Sequence, residues 1–373
     1  MNGPADWAAS GAMSLTGRPG GPPLVSPGNP ASFVRERLAR LHVSISGLLS
    51  ERAAYTGLVR SGPWSCGGAF RVLATADGHF GLSLPRGSDL EMLPALVERE
   101  QVTDPWAAVS EWAAATSTSA VESRVRLLGL AGGHVPTEPP NDRAGVMTKV
   151  LGSRTVSMHP LVVDLTSLWA GPLCAHLLSR HGARVLKVES RLRPDGARRG
   201  SPSFYELLHV GHEEATLDFG ADLDDLKALI DSADLVLEGS RPRALQQLGI
   251  VAEDVVSRGT SWISITAHGR SSDAIGFGDD VAVAAGLYVR DGDDILPCGD
   301  ALADPLAGVA AAVAAAEALR STESRLIDVS MLHVAAQAAA GPSAPYEVVQ
   351  RSGSWWLVTD EGIVPVAQPM RRP

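Results

Sequence analysis

The sequence predicts an α/β protein: a large domain built on a parallel sheet, with a smaller α+β domain beside it. Three observations lead there. The chain has 373 residues, 45% of them hydrophobic, which suits two or three domains with a sizeable core. Beyond Pro160, short apolar runs alternate with helix-length segments, the pattern of βαβ crossovers in a parallel sheet. Before Pro160 a hairpin pattern is followed by consecutive helical segments.

Taken in order, residues 1–32 are rich in Gly, Pro and Ser, and read as a flexible tail. From Ser32 to His42, Phe33, Leu38 and Leu41 fall at helical spacing, and the helix continues, with a break, towards Leu58. Residues 69–73 and 79–84 read as strands, joined by a turn containing Asp77-Gly78, a strong hairpin signal. Helices follow near 88–99, 105–116 and 119–129, completing a small domain over 33–134. Residues 135–159 carry Pro136, Pro139 and Pro140 and read as a linker. In the large domain, 160–340, strands are expected at 161–165, 184–188, 234–238 and 262–266. Helices are expected at 173–181 and 221–232, with another starting at 244. Residues 341–373 form a C-terminal extension. Ligands on such sheets lie beyond the carboxyl ends of the strands.

Composition removes several classes of function. A formal net charge of -10 disfavours general nucleic-acid binding. Cys66, Cys174 and Cys298 are odd in number and scattered, giving neither a disulfide framework nor a CxxC metal site. The first residues lack a basic start followed by an apolar run, and the longest apolar stretch (306–319) is short and alanine-rich. A cytoplasmic protein with no membrane association is expected.

No GxGxxG follows the first large-domain strand, and no P-loop occurs, so neither a nicotinamide nor a flavin cofactor is expected. His209, His212 and Glu213 invite a metal reading, but the order is not HExxH and Gly211 breaks a helix, so no metal is expected. Residues 276–280 read as a simple turn. After the second strand comes a basic cluster, Lys187, Arg191, Arg193, Arg198 and Arg199, and after the third come Arg241 and Arg243. Arginine forks at neighbouring strand ends suit a phosphorylated ligand, although a solvated loop explains the same composition. Asp304-Pro305 before an Ala-rich run reads as a helix N-cap with Pro at N1. A carboxylate held there is also presented to whatever lies above it, and has the makings of a nucleophile.

Together these residues resemble family III CoA-transferases, the group that includes formyl-CoA transferase, carnitine CoA-transferase and α-methylacyl-CoA racemase. The similar segments are VVDLTSLWAGPLCAHLLSRHGARVLKVES (162–190), ATLDF (215–219), ADLVLEGSRPRALQQLG (233–249), GDALADPLAGVAAAVAAAEAL (299–319) and LIDVSMLHVA (326–335). The resemblance implies a Rossmann-like large domain. It also implies a nucleophilic aspartate four residues before a glycine, which falls on Asp304 before Gly308. It places coenzyme A, as substrate, against Trp169, Ala170, Ser190, Arg191, Leu217, Asp218, Gly239, Ser240 and Arg241, to which the basic cluster adds Arg193 and Arg198 as expected phosphate contacts. Three departures stand out, the first being that the arginine usual at the second-strand corner falls on Ser190, with Arg191 one step later. A usual Lys-Arg pair falls on His212-Glu213, and the racemases' catalytic histidine falls on Asp279, before Asp280. Residues 70–98 and 104–135 are similar to the family's small domain, which normally follows the large one. Here it comes first, as in a circular permutation.

The resemblance implies a transferase moving CoA between an acyl-CoA and a carboxylic acid through an aspartyl anhydride and thioester, in a homodimer. The alternatives are an acyl-CoA racemase or isomerase on the same scaffold, and a non-catalytic CoA-binding subunit.

Overall fold

Seven strands form the central sheet of the computed structural model, which describes residues 3–240, 242–342 and 344–372. In spatial order they are Val146–Ser153, Glu323–Ser330, Ser261–Thr266, Leu235–Glu238, Leu161–Asp164, Arg184–Ser190 and Glu213–Leu217. The last six run parallel, and Val146–Ser153 closes one edge antiparallel to Glu323–Ser330. The four expected strands are present to within a few residues. The edge strand lies inside the segment read as a linker. Its residues are mostly exposed, so it carries no apolar run to announce it.

Leu161–Asp164 pairs with Arg184–Ser190 on one side and with Leu235–Glu238 on the other. The strand order therefore reverses at its carboxyl end, opening the crevice where such sheets bind ligands.

One helix, Ala303–Leu319, is buried almost all round and packs against Ala170–Arg180, Pro30–Arg40 and Met331–Ala339. Its alanines permit close approach, and Gly308 is required at one crossing. A Cβ there would lie 2.6 Å from the Ala170 carbonyl oxygen. This contact sets the start of one helix against the start of the other.

The expectation of a flexible tail over 1–32 is corrected. Gly3–Ala9 is helical, and Trp7, Met13 and Phe33 are buried in the same core as Ala303–Leu319. The Trp7 indole N–H donates to the Leu24 carbonyl at 3.1 Å. Composition misled here because a few large apolar residues anchor a Gly/Pro-rich chain that makes little regular structure of its own.

The smaller unit has a three-stranded antiparallel sheet, Phe70–Ala74, His79–Ser83 and Ala131–His134, joined by the expected hairpin. With helices Pro105–Ala114 and Thr118–Leu127 it encloses its own core, including Leu73, Phe80, Leu96, Val109 and Val125. Residues 346–365 form a second three-stranded antiparallel sheet. Beyond it, the Ala367 N–H donates to the Ala8 carbonyl at 2.9 Å, so the two ends of the chain pack together.

Candidate active site

Asp304 sits in the first turn of Ala303–Leu319, with Leu302 as N-cap. It is therefore not the capping residue expected from Asp-Pro. Its carboxylate instead accepts a hydrogen bond from the Ala170 N–H, at the start of the neighbouring helix. A helix N-terminus leaves such N–H groups free and favours negative charge.

The approach to Asp304 is tight. A Cβ on Gly278 would overlap Asp304 Oδ2 and the Ala301 carbonyl. Residues 276–280 are thus more than a simple turn: Gly278 opens the helix Gly278–Ala284 directly against the carboxylate. Ala301 has φ +45°, a left-handed conformation unusual for a residue with a side chain. Its N–H donates to Asp279 Oδ1 at 2.9 Å, and its carbonyl accepts the Asp304 N–H at 3.0 Å.

Asp300 is fully buried and held by both arms of Arg52, with Arg52 Nε 3.0 Å from Asp300 Oδ2. The Arg52 guanidinium lies 5.2 Å from the centre of the Trp169 ring, in cation–π range. Burial pushes the Asp304 carboxyl up to about 7; Arg52 opposes the rise, and Asp279 and Asp300 add to it. Burial pushes Asp279 up to about 6, helped by Asp300 and opposed by Arg52. Nothing in the sequence pointed to Arg52, which lies some 250 positions from its partner Asp300.

At the reversal point of the sheet lies a cavity of about 220 Å³. Leu165–Ser167, Val188–Ser190, Arg193, Asp195 and Ser240 line it, so it joins Ser190, Arg193 and Ser240 of the expected ligand residues. The segment leaving it passes through Leu168, at φ +70°, and Trp169 to Ala170, which binds Asp304. The Leu168 N–H donates to both oxygens of Asp195, at 3.1 and 3.2 Å, fixing this strained residue in place. Trp169 is buried, edge-on to Phe204.

The other expected ligand residues are disposed differently. Arg191 is exposed and 3.9 Å from Asp222. Arg198 is bound to Glu189 and Glu214 and lies over the Tyr205 ring. Burial raises the Glu189 carboxyl, but Arg198, the Asp195 N–H and Tyr205 more than offset this and bring it down to about 2. Asp218 Oδ1 is occupied by the Gly220 and Ala221 N–H groups, closing a turn, and Leu217 ends the edge strand before it. Gly239 is exposed beside Ser240, and Arg241 lies outside the described residues.

Lys187 is not part of a phosphate-facing cluster. It is fully buried, donating to the Thr166 carbonyl, with Asp195 at 3.5 Å and Asp164 at 3.7 Å. Its charge balances two buried carboxylates. The His209 Nδ1–H donates to the Tyr205 carbonyl at 2.8 Å. Burial pulls His212 down to about 4, so it is neutral at pH 7 and supplies no cation where the family's Lys-Arg pair would stand.

The fold and this site together define a class. Residues 160–354 match the model of CoA-transferase family III, and the chain belongs to that family. It is 27% identical over 191 residues to succinyl-CoA–D-citramalate CoA-transferase of Chloroflexus aurantiacus, covering 46% of this chain and 48% of that protein. It is 27% identical over 265 residues to succinyl-CoA:glutarate CoA-transferase of Mus musculus, covering 64% and 58%. The chain thus spans about half the length of the curated relatives it matches. A solved CAIB/BAIF family protein from Brucella suis aligns over 56% of this chain and 66% of its own, with TM-score 0.47 and 21% identity.

Proposed function

We propose that the chain is a CoA-transferase in which Asp304 is the nucleophile. The observation that carries this reading is a partly buried carboxylate, held by a helix-terminal N–H and joined through Leu168–Ala170 to a cavity at the switch point. Asp304 attacks the acyl-CoA carbonyl, forming a C–O bond and expelling CoA thiolate, to give a mixed anhydride. The thiolate attacks the aspartyl carbonyl, forming the aspartyl-CoA thioester and releasing the first acid as its carboxylate. An acceptor carboxylate then runs the two steps in reverse. One thioester replaces another, so no nucleotide is consumed. A carboxylate is a weak nucleophile, and positioning and partial desolvation supply what it lacks.

In this reading CoA lies along the cavity with Arg193, Ser190 and Ser240 towards its phosphates and Trp169–Ala170 towards its thioester. Arg191, exposed and next in sequence to Ser190, stays a candidate phosphate contact. Arg198 is already bound to two carboxylates and is assigned a supporting role. The racemase alternative is disfavoured because Asp279 stands where the resemblance would put the racemases' catalytic histidine. The relatives named for succinyl-CoA make it the first donor to try, with a dicarboxylic acid as acceptor. No described helix is long and apolar enough to cross a membrane; a cytoplasmic homodimer completes the proposal.

Intact-mass spectrometry after incubation with a panel of acyl-CoAs tests the reading. A covalent acyl or CoA adduct is expected on Asp304. The variant Asp304→Asn should fold, because the amide oxygen still accepts the Ala170 N–H, yet form no adduct and transfer no CoA. Near-normal turnover in Asp304→Asn would exclude this nucleophile.

A further inference from the structure

Arg52 holds Asp300 with both arms, and Asp279 and Asp304 meet at the next residue, Ala301, whose N–H donates to Asp279 Oδ1 at 2.9 Å and whose carbonyl accepts the Asp304 N–H at 3.0 Å. Asp279 is on the helix Gly278–Ala284, Asp300 in the turn before Ala303–Leu319, Asp304 in the first turn of that helix, and Arg52 on the helix Glu51–Thr56 in the N-terminal segment. Cys66 faces the same cluster from a loop, donating towards the Gly299 carbonyl at 3.3 Å, and burial keeps its thiol neutral. Asp280 points away and accepts from Ser83. The charged groups facing Asp304 are therefore Arg52, Asp279 and Asp300.

We propose that Arg52 and Asp279 are opposed positioning residues that set the ionisation of Asp304, Arg52 favouring the nucleophilic carboxylate and Asp279 favouring its protonated form. This rests on Asp304 being the reacting group, and it concerns how that group is kept ready.

The geometry gives each residue two tasks. Arg52 engages Asp300 with both arms, which neutralises Asp300 and fixes the guanidinium over Trp169, from where its charge opposes the rise at Asp304. Asp279 accepts the Ala301 N–H and so steadies the left-handed turn whose carbonyl receives the Asp304 N–H. With Asp300 matched by Arg52, Asp279 and Asp304 are two carboxyls competing for one environment. The Asp279 charge raises the Asp304 carboxyl, and like-charged neighbouring carboxyls do not both ionise readily. At the position where racemases carry histidine, this chain thus carries a group that restrains the nucleophile.

The test reads Asp304 ionisation directly, without an identified substrate. A diazo reagent esterifies protonated carboxyl groups, and peptide mass spectrometry gives the extent at Asp304 as pH is varied. Asp279→Asn keeps an acceptor for the Ala301 N–H but removes the charge. It should move the Asp304 midpoint down by about one pH unit. Arg52→Gln should move it up by a similar amount, whereas Arg52→Lys, which keeps the charge, should restore most of the shift. If Arg52→Gln does not fold, Asp279→Asn and Arg52→Lys still decide. Unchanged midpoints in Asp279→Asn would overturn the proposal, as would a midpoint in Arg52→Lys displaced upward as far as loss of the charge predicts. The acyl-CoA adduct on Asp304, measured separately, tells this failure from failure of the nucleophile assignment. Shifted midpoints with no adduct would retain the ionisation control and remove its catalytic purpose.

Discussion

Arg193 and Arg198 lie five residues apart in the same loop region but differ in what their guanidinium groups already hold. Arg198 is engaged by Glu189 and Glu214, whereas Arg193 lines the cavity. Arg193→Ala should therefore weaken CoA binding by about 1.5–3 kcal/mol, the range for a charge-assisted hydrogen bond. Arg198→Ala should act mainly on folding, because it strips the cation from the low-lying Glu189 carboxylate. Calorimetry with CoA and with dephospho-CoA, alongside thermal unfolding of both variants, separates the two effects. Equal loss of CoA affinity in both would mean that Arg198 reaches the ligand despite its partners. Composition showed that the region was basic; it did not show which arginine was spoken for. Lys187 makes the same point more sharply, since its charge is spent on Asp164 and Asp195 in the interior. Asp304 was singled out by Asp-Pro before an alanine run and by the resemblance, although its reading as an N-cap failed because Leu302 takes that place. Arg52 was not, because an arginine in an N-terminal helix has many explanations.

At the scale of elements, the alternation after Pro160 announced the parallel sheet because central strands are buried on both faces and read as continuous apolar runs. The edge strand Val146–Ser153 has one covered side and Thr148 and Lys149 in its middle, so periodicity passes over it. The helix crossing at Gly308 has an equally local signature: a glycine in an alanine-rich helix. Its cause, the Ala170 carbonyl, belongs to another helix. Gly308→Val should push Ala303–Leu319 away from Ala170–Arg180. Overpacking of this kind costs about 1–3 kcal/mol, read as a lower denaturation midpoint in urea. It should also lengthen the bond from the Ala170 N–H to Asp304, so adduct formation should fall more than stability alone accounts for. A variant with lowered stability but unaltered adduct formation per folded molecule would show that the crossing supports the fold and not the carboxylate.

Across the whole molecule, the site is assembled from segments that the sequence order keeps far apart. The small unit reaches it through Ser83, which donates to the buried Asp280 at 2.6 Å, one residue from Asp279. We propose that the small unit covers the site and excludes water from it, as a permuted small domain would have to. The C-terminal end contributes as well. Arg372 is bound to the buried Glu51 and donates to His176 Nε2 at 2.7 Å, tying the chain end to Ala170–Arg180 and to the residue beside Arg52. Burial raises the Glu51 carboxyl and Arg372 opposes the rise. Arg372→Ala should leave that carboxylate buried without its cation, at a cost of roughly 3–5 kcal/mol. The sign of the pH dependence follows. Without Arg372, the folded-state pKa of Glu51 climbs further above its unfolded value, so the folded state holds the proton more tightly. The penalty is then small in acid, where Glu51 is protonated in both states. It grows as pH rises from the unfolded pKa through the folded one. Thermal unfolding of Arg372→Ala against the native protein should give a gap that widens from acid towards neutrality, with CoA-transfer activity falling where the gap is wide. A gap independent of pH would mean that Arg372 stabilises through packing and its bond to His176, and that Glu51 is compensated by another group.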